Sequence, residues 1–593
     1  MSRTPQAKGD VPAVKPETNQ PEISSSRRKF LGKMGMATVA AGVLGKAPKA
    51  FAQASKVIGS ASGSANVGNS SFSNRVQKAQ NIRTMLAQKD AALAIPPHSA
   101  NGDEQRYSDH SGSYSKPLLQ DDICVVNPAA WASFKKALQS GLNSDYEAII
   151  LGGTRTLNGP QASYAYDLEC ADSCQFGNAP GVGDPSGPAL VPPFDQVTSA
   201  AYGTQLVEMY WASLLRDVAF TDYASNDTAI AAAAELSGMP SYRGPRDGTG
   251  KVTPDLLFRG TFQGETIGPY MSQFMFTPTA FGNQPIPMQF NTYLPGIDYM
   301  QDTGTFLQVQ NGISTGLSNQ TDSVLRYLHD WRGLGALTHV DGLYQEHLMA
   351  LLIMSTLGVP NNPGNPYNGS KTQNGFSTFG GPDFQQCVAE VAARVLNHVW
   401  FQKWLVHLTH RPEWGGGLVH QILSGNGSKV QAHPNNNVLN SQAVAQAHSQ
   451  NPFGAYLLSQ AFPEGSPAHP SYPTGHGTVG GACITILKFF YDGHFVIPNP
   501  MVPSSDGLSL VPYTGPDAGQ ITVNGELNKL ARNISFGHGV GCGIHWRTDT
   551  DTSMLLGEAV AISFLLDRAK TYNEKFTVNI TRLDGSIATI SNE

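Results

Sequence analysis

The chain has 593 residues, 40% of them hydrophobic and 14% charged, with a formal net charge of −6. That is enough apolar material for a sizeable core, and 62 Gly with 39 Pro require many ordered loops between elements. No basic stripe and no apolar run near the roughly 18–20 residues of a membrane span occurs, which excludes nucleic-acid binding and membrane insertion as organising functions.

At the N-terminus, Arg27-Arg28-Lys29-Phe30-Leu31-Gly32-Lys33 is close to a twin-arginine export motif. A modest apolar segment follows from Met34 to Leu44, with Ala50-Phe51-Ala52 and Ala52-Gln53-Ala54 as cleavage candidates. Residues 1–54 are therefore expected to be a signal peptide, directing the chain to the periplasm or outside the cell. Removing the first 52 residues takes away nine basic and three acidic side chains and leaves a charge of −12. Such an acidic product disfavours polyanionic partners. Residues 55–118 read as a flexible leader with one helix near 74–94, and 119–593 as a single helical domain. Helices are expected at 128–141, 200–217, 227–237, 322–357, 383–410, 476–491 and 553–571. Alternating strand patterns are confined to 518–524 and 576–590, and loops to 238–256, 358–382 and 422–452. No repeat is found at periods of 20–50 residues. The fold class is all-α with long loops and little β. Six cysteines are too few for a disulfide framework; a Cys170–Cys174 pair stays open.

Three stretches carry chemistry. In the first, Lys403 falls on the apolar stripe Val388, Ala392, Val395, Val399 and Val406. A buried lysine needs a negative partner, or it deprotonates or snorkels out. Arg411-Pro412 lies eight residues on, a step that returns to nearly the same helix side. In the second, Pro467-Ala468-His469-Pro470-Ser471-Tyr472-Pro473-Thr474-Gly475-His476 runs into the helical pattern Val479, Cys483, Ile486, Phe490. Thr474 and Gly475 sit where free N–H groups and the positive helix end favour a tetrahedral oxyanion. Taken alone, this window reads equally as a capped helix start with surface histidines. The third is Asn533-Ile534-Ser535-Phe536-Gly537-His538-Gly539-Val540-Gly541-Cys542-Gly543-Ile544-His545-Trp546-Arg547-Thr548-Asp549. Its glycines allow close backbone approach to a ligand, and Asp549 lies one helical turn after His545, placed to orient that ring.

In combination, Lys-x7-Arg-Pro, Pro-Thr-Gly-His and a Gly-rich segment ending in His-x3-Asp resemble the signature shared by vanadium-dependent haloperoxidases and type 2 acid phosphatases. Phe258-Arg259-Gly260-Thr261-Phe262-Gln263-Gly264-Glu265, Leu214-Leu215-Arg216-Asp217, Arg326-Tyr327-Leu328-His329 and His339-Val340-Asp341-Gly342-Leu343-Tyr344 are similar to red-algal and cyanobacterial vanadium bromoperoxidases. The resemblance runs from about residue 74 to the C-terminus. It implies two four-helix bundles, a homo-oligomer, one vanadate per subunit, and peroxide, halide and small organic acceptors as partners. His545 would be the vanadium ligand. Lys403, Arg411, Thr474 and the Gly475 N–H would hold the equatorial oxygens, His476 would act in proton transfer, and Lys403 would polarise bound peroxide. His469 would tune the halide path, and Trp400 and Phe401 would bear on halide choice. The reaction implied is oxidation of halide, bromide first, to hypohalous acid.

Two positions depart from the family pattern. Thr474 replaces its serine. The arginine expected six residues before the vanadium-binding histidine is Gly539, with His538 one place earlier, able to replace it only when protonated. Two other functions share these residues: a phosphomonoesterase with His545 as nucleophile and His476 as acid, and a non-catalytic exported oxyanion-binding protein.

Overall fold

The computed structural model describes residues 70–175 and 190–593. The expected signal peptide and the start of the leader lie outside the described residues. The chain divides at Lys78/Ala79, and the helical body is the unit Ala79–Glu593. Among the described residues thirteen helices have eight residues or more: α1 Ser70–Ala91, α2 Pro128–Ser140, α3 Ala200–Leu214, α4 Asp227–Ser237, α5 Thr303–Gln310, α6 Trp331–His339, α7 Gln345–Thr356, α8 Gly381–Phe401, α9 Pro412–Leu423, α10 Gln442–Gln450, α11 Gly475–Phe490, α12 Val523–His538 and α13 Arg547–Ala569. The described strands pair only as five two-stranded antiparallel ladders, four of them hairpins and one joining Phe290–Tyr293 to Thr321–Arg326 across α5; the longest joins Thr577–Thr581 to Ile587–Ser591. The all-α expectation holds, and the strand pattern expected at 576–590 is an antiparallel pair of strands.

The second unit is built around α11. It packs against α8, α12 and α13, and α13 also touches α8 and α12, which closes a four-helix bundle. Every residue of α11 is buried, so it carries no polar stripe and its small residues set how closely neighbours approach. Added Cβ atoms on Gly481 and Gly557 would collide with the Met554 and Thr478 carbonyls respectively. α11 and α13 therefore meet backbone to backbone, their N-termini side by side, and the Thr474 N–H donates to the Asp549 carbonyl at 3.3 Å. A second helical group gathers α4, α9 and α10 around α3.

Several boundaries differ from expectation. The segment 322–357 is a strand followed by two helices. Asp330 caps α6, its Oδ1 accepting from the Gly333 N–H at 2.7 Å, and the chain breaks again at 340–344 before α7. The strand expected at 518–524 is instead the approach to α12, whose N-cap Thr522 accepts from the Gly525 N–H. Its β-branched residues mimicked strand composition. Periodicity does not mark four helices: α9 carries three consecutive glycines and α12 is buried on every side, which blurs a 3.6-residue stripe, while α5 and α10 are short, at 8 and 9 residues. Residues 107–118 belong to the buried body rather than to a leader. Tyr114 and Leu118 pack with Trp131, Phe134, Trp404 and Leu408, and the buried Lys116 pairs with Glu413 at 2.8 Å. Cys170 and Cys174 are free thiols.

Candidate active site

α8 ends at Phe401 and the chain widens into a π-turn, Gln402–His407, before Leu408 takes a left-handed φ of +45°. Such wide turns interrupt the helical ladder and re-aim side chains. Lys403, in that turn, is fully buried and donates to the carbonyls of Pro470 at 2.8 Å and Ser471 at 2.5 Å. The expected continuous helix over 383–410 is thus corrected. Lys403 and Arg411 meet because Arg411 is the N-cap residue of α9, not through one unbroken helix face. Burial, and then the neighbouring Arg411 charge, hold the Lys403 amine well below its usual range, with Asp549 opposing.

Arg411 is the hub. Its Nε donates to the His469 carbonyl at 2.9 Å, Nη1 to His545 Nε2 at 2.7 Å, and Nη2 reaches the His469 ring at 3.0 Å. His469 in turn lies against Trp400, ring centroids 4.9 Å apart. On the far side of His545, Nδ1 donates to Asp549 Oδ2 at 2.7 Å. This fixes the tautomer, so Nε2 carries the lone pair. Burial and the adjacent cations keep His545 well below its usual pKa and therefore neutral. Burial pushes the Asp549 carboxyl up to about 7 against the pull of Lys403, the Trp546 N–H and Arg411.

Thr474 is the N-cap residue of α11, yet its hydroxyl makes no cap bond, and Oγ1 is a buried atom without a partner. The first N–H groups of α11 have no carbonyl one turn earlier, and Gly475 leaves them uncovered. Helices α9, α11 and α13 all begin at this cluster, so three positive macrodipole ends add to Lys403 and Arg411. His476 stacks on His538 with ring centroids 3.9 Å apart, and His538 lies 6.0 Å from His545. His538 Nδ1 is also buried without a partner. Burial, His476 and Arg411 keep His538 well below its usual pKa.

The structure thus brings Lys403, Arg411, His469, Thr474, Gly475, His476, His538 and His545 into one cluster. It also supplies Asp341, 3.0 Å from His476 Nε2, whose pairing no sequence spacing could reveal across 135 positions. Arg547 does not turn back to replace the absent arginine, because Glu208 holds it in a buried pair. The glycines of the third stretch serve packing: a Cβ on Gly537 would lie 2.8 Å from the Leu334 side chain, and one on Gly541 would strike Trp331. Two partnerless buried atoms (Thr474 Oγ1 and His538 Nδ1), the His545 Nε2 lone pair that here accepts from Arg411, and the Lys403 and Arg411 side chains form a donor set that fits a tetrahedral oxyanion with one nitrogen ligand.

Comparison with known proteins agrees. The vanadium-dependent bromoperoxidase of Ascophyllum nodosum is 32% identical over 507 residues, covering 81% of this chain and 86% of that protein. The chain belongs to the vanadium-dependent bromoperoxidase family. The Corallina officinalis bromoperoxidase is 30% identical over 589 residues, covering 86% of this chain and 98% of the relative. Residues 389–574 match the family model described as the VCPO second helical-bundle domain, a range that takes in most of α8 and all of α11, α12 and α13. A solved homohexameric structure, the second vanadate-dependent bromoperoxidase of Ascophyllum nodosum, superposes with a TM-score of 0.81 at 26% identity. The match covers 88% of this chain and 92% of that one.

Proposed function

We propose that this bromoperoxidase-family chain binds vanadate in the Lys403–Arg411–His545 cluster and oxidises bromide with hydrogen peroxide to hypobromous acid, which halogenates organic acceptors. The observation that carries the reading is His545 Nε2, a neutral imidazole lone pair fixed by Asp549 and facing Arg411. His545 would coordinate the vanadium. Lys403, Arg411, Thr474 Oγ1 and the Gly475 N–H would hold the oxygens. When bound, vanadate supplies a Lewis-acid centre that renders peroxide electrophilic toward halide.

The chain's own residues then do four things. Asp549 holds the His545 ring in one tautomer and orientation. Lys403 and Arg411 place positive charge where oxyanion charge gathers, inside a water-poor interior. Asp341 holds His476 by Nε2, leaving Nδ1 to exchange the proton that the reaction consumes. Trp400 and His469 form one wall beside Arg411, where halide approach is tuned. Homo-oligomeric assembly accompanies this reading, supported by the hexameric neighbour. Export through the twin-arginine route is part of it too, resting on Arg27-Arg28-Lys29.

Purified protein assayed with vanadate, peroxide and bromide should brominate only when vanadate is present. Phosphate release from a phosphomonoester, inhibited by vanadate, would assign the cluster to phosphatase chemistry instead. Silence in both assays would leave an oxyanion-binding protein.

A further inference from the structure

Two residues beyond Arg411, in the first turn of α9, Glu413 is fully buried and pairs with the buried Lys116 at 2.8 Å. Both of its oxygens are engaged. Oε1 accepts from Lys116 Nζ and from Gln310 Nε2, each at 2.8 Å, and Oε2 accepts from the Ser466 N–H at 2.7 Å. Lys116 gives its remaining hydrogens to the carbonyls of Glu464 at 2.8 Å and Ser466 at 2.7 Å, so all three ammonium donors are used. Glycine at 465 makes this close approach possible: its φ is +60°, and a Cβ there would collide with Glu413 Oε2. The ion pair therefore grips the backbone at 464–466 through one N–H and two carbonyls.

The same stretch of backbone runs on into the cluster. The Ala468 carbonyl accepts from the Asn158 N–H at 2.8 Å. Arg411 Nε then takes the His469 carbonyl at 2.9 Å, while its Nη2 reaches the His469 ring. The start of α9 thus holds this stretch at two points, Glu413 at Ser466 and Arg411 at His469. Only Pro467 and Ala468 lie between them, so any looseness at Ser466 passes to the His469 ring and to its contact with Trp400. A buried ion pair is a weak source of stability, because desolvation of both charges offsets their attraction. An apolar pair of similar volume can serve folding equally well. It could not hold an N–H and two carbonyls in register.

Resting on the haloperoxidase reading above, we propose that Glu413, together with Lys116, is a positioning residue for His469. The pair sets how the imidazole stands between Arg411 and Trp400 on the halide path, and so sets bromide affinity rather than vanadate binding. The groups that meet vanadate have anchors that bypass 464–466: Asp549 holds His545 at 2.7 Å, and the Ile544 carbonyl accepts from Arg411 Nη1 at 3.0 Å.

Glu413→Gln tests this. It keeps the volume but turns an NH2 group toward Lys116 and Gln310 or toward the Ser466 N–H, all of which are donors. Bromide KM should rise roughly tenfold, the loss expected for one hydrogen bond to a charged group. Vanadate stoichiometry, vanadate dissociation constant and kcat per bound vanadate should stay within about twofold of wild type. In a His469→Ala background, Glu413→Gln should change bromide KM by less than about twofold, because the ring it positions is gone. Lys116→Met/Glu413→Leu removes both charges at similar volume and keeps the test decisive if E413Q does not fold; it should raise bromide KM to the same extent. A wild-type chain that binds vanadate yet oxidises no bromide overturns the functional reading and this inference together. With an active wild type, three results overturn this inference alone: an unchanged bromide KM in the folded variants, vanadate stoichiometry and activity falling together at constant KM, or Glu413 and His469 effects that simply multiply.

Discussion

A threonine at a helix N-cap ordinarily turns its hydroxyl back onto the second or third N–H of its own helix; Thr474 leaves that bond unmade and keeps Oγ1 buried without a partner. Folding gains nothing from this hydroxyl, so Thr474→Val should leave stability unchanged or raise it by about 1 kcal/mol. The same substitution should weaken vanadate roughly 10–100-fold, the value of a hydrogen bond to a charged group. Denaturant unfolding and equilibrium dialysis read the two effects separately, and parallel losses in both would refute a ligand-directed hydroxyl. His538 stands beside the position where relatives are expected to carry arginine. Gly539 cannot take that arginine, since its Cβ would lie 2.7 Å from the Ser535 carbonyl and 2.9 Å from His545 Cβ. Position 538 can, with its side chain already in the cluster. His538→Arg should tighten vanadate about tenfold above pH 7, where burial keeps the imidazole uncharged. An unchanged dissociation constant would mean that His538 lies outside the oxyanion's reach.

Between helices, the site depends on how closely α11 and α13 can lie. Gly481 and Gly557 remove the side chains that would separate the two backbones, and their parallel course delivers Thr474 and His545 to the same end of the bundle. Gly481→Val drives a side chain into the Met554 carbonyl and should cost about 1–3 kcal/mol by overpacking, or more where the backbone cannot shift. Vanadate affinity should fall with it even though residue 481 lies two turns from the cluster. Retained affinity in a folded Gly481→Val protein, measured by calorimetry, would show that the N-termini are held together by other contacts. Arg547, paired with Glu208, ties α13 to α3 and shows why a nearby arginine in sequence need not serve the site: its charge is already spent on a buried carboxylate.

At the scale of the whole molecule, charge inside the cluster is linked to pH. Burial and Arg411 depress the Lys403 pKa in the free protein; a bound oxyanion raises it again. Binding therefore takes up a proton at any pH between the depressed value and the ordinary lysine range, and affinity should decline as pH rises through that interval. Titration calorimetry at a series of pH values up to the ordinary lysine range, in buffers of different ionisation enthalpy, should show net proton uptake that is smaller in Lys403→Met; no uptake at any of them in the wild type would mean that Lys403 is charged before the ligand arrives. Much of this protein was legible in its residues. The helical class followed from periodicity, and the cluster from three motifs whose residue types suit an oxyanion, with Asp549 one turn from His545. The failures share one cause. A helix buried on every side, such as α12, has no polar face to mark its bounds, and the break at 402–408 depends on packing around Trp404 and Leu408 rather than on any local breaker. Pairings across long stretches of chain, Asp341 with His476 and Arg547 with Glu208, leave no trace in spacing. The sequence by itself determined which chemical groups were available, because side-chain chemistry is local. Only the tertiary structure decided which of them face one another, because burial, tautomer and charge are set by neighbours that the chain brings in from afar.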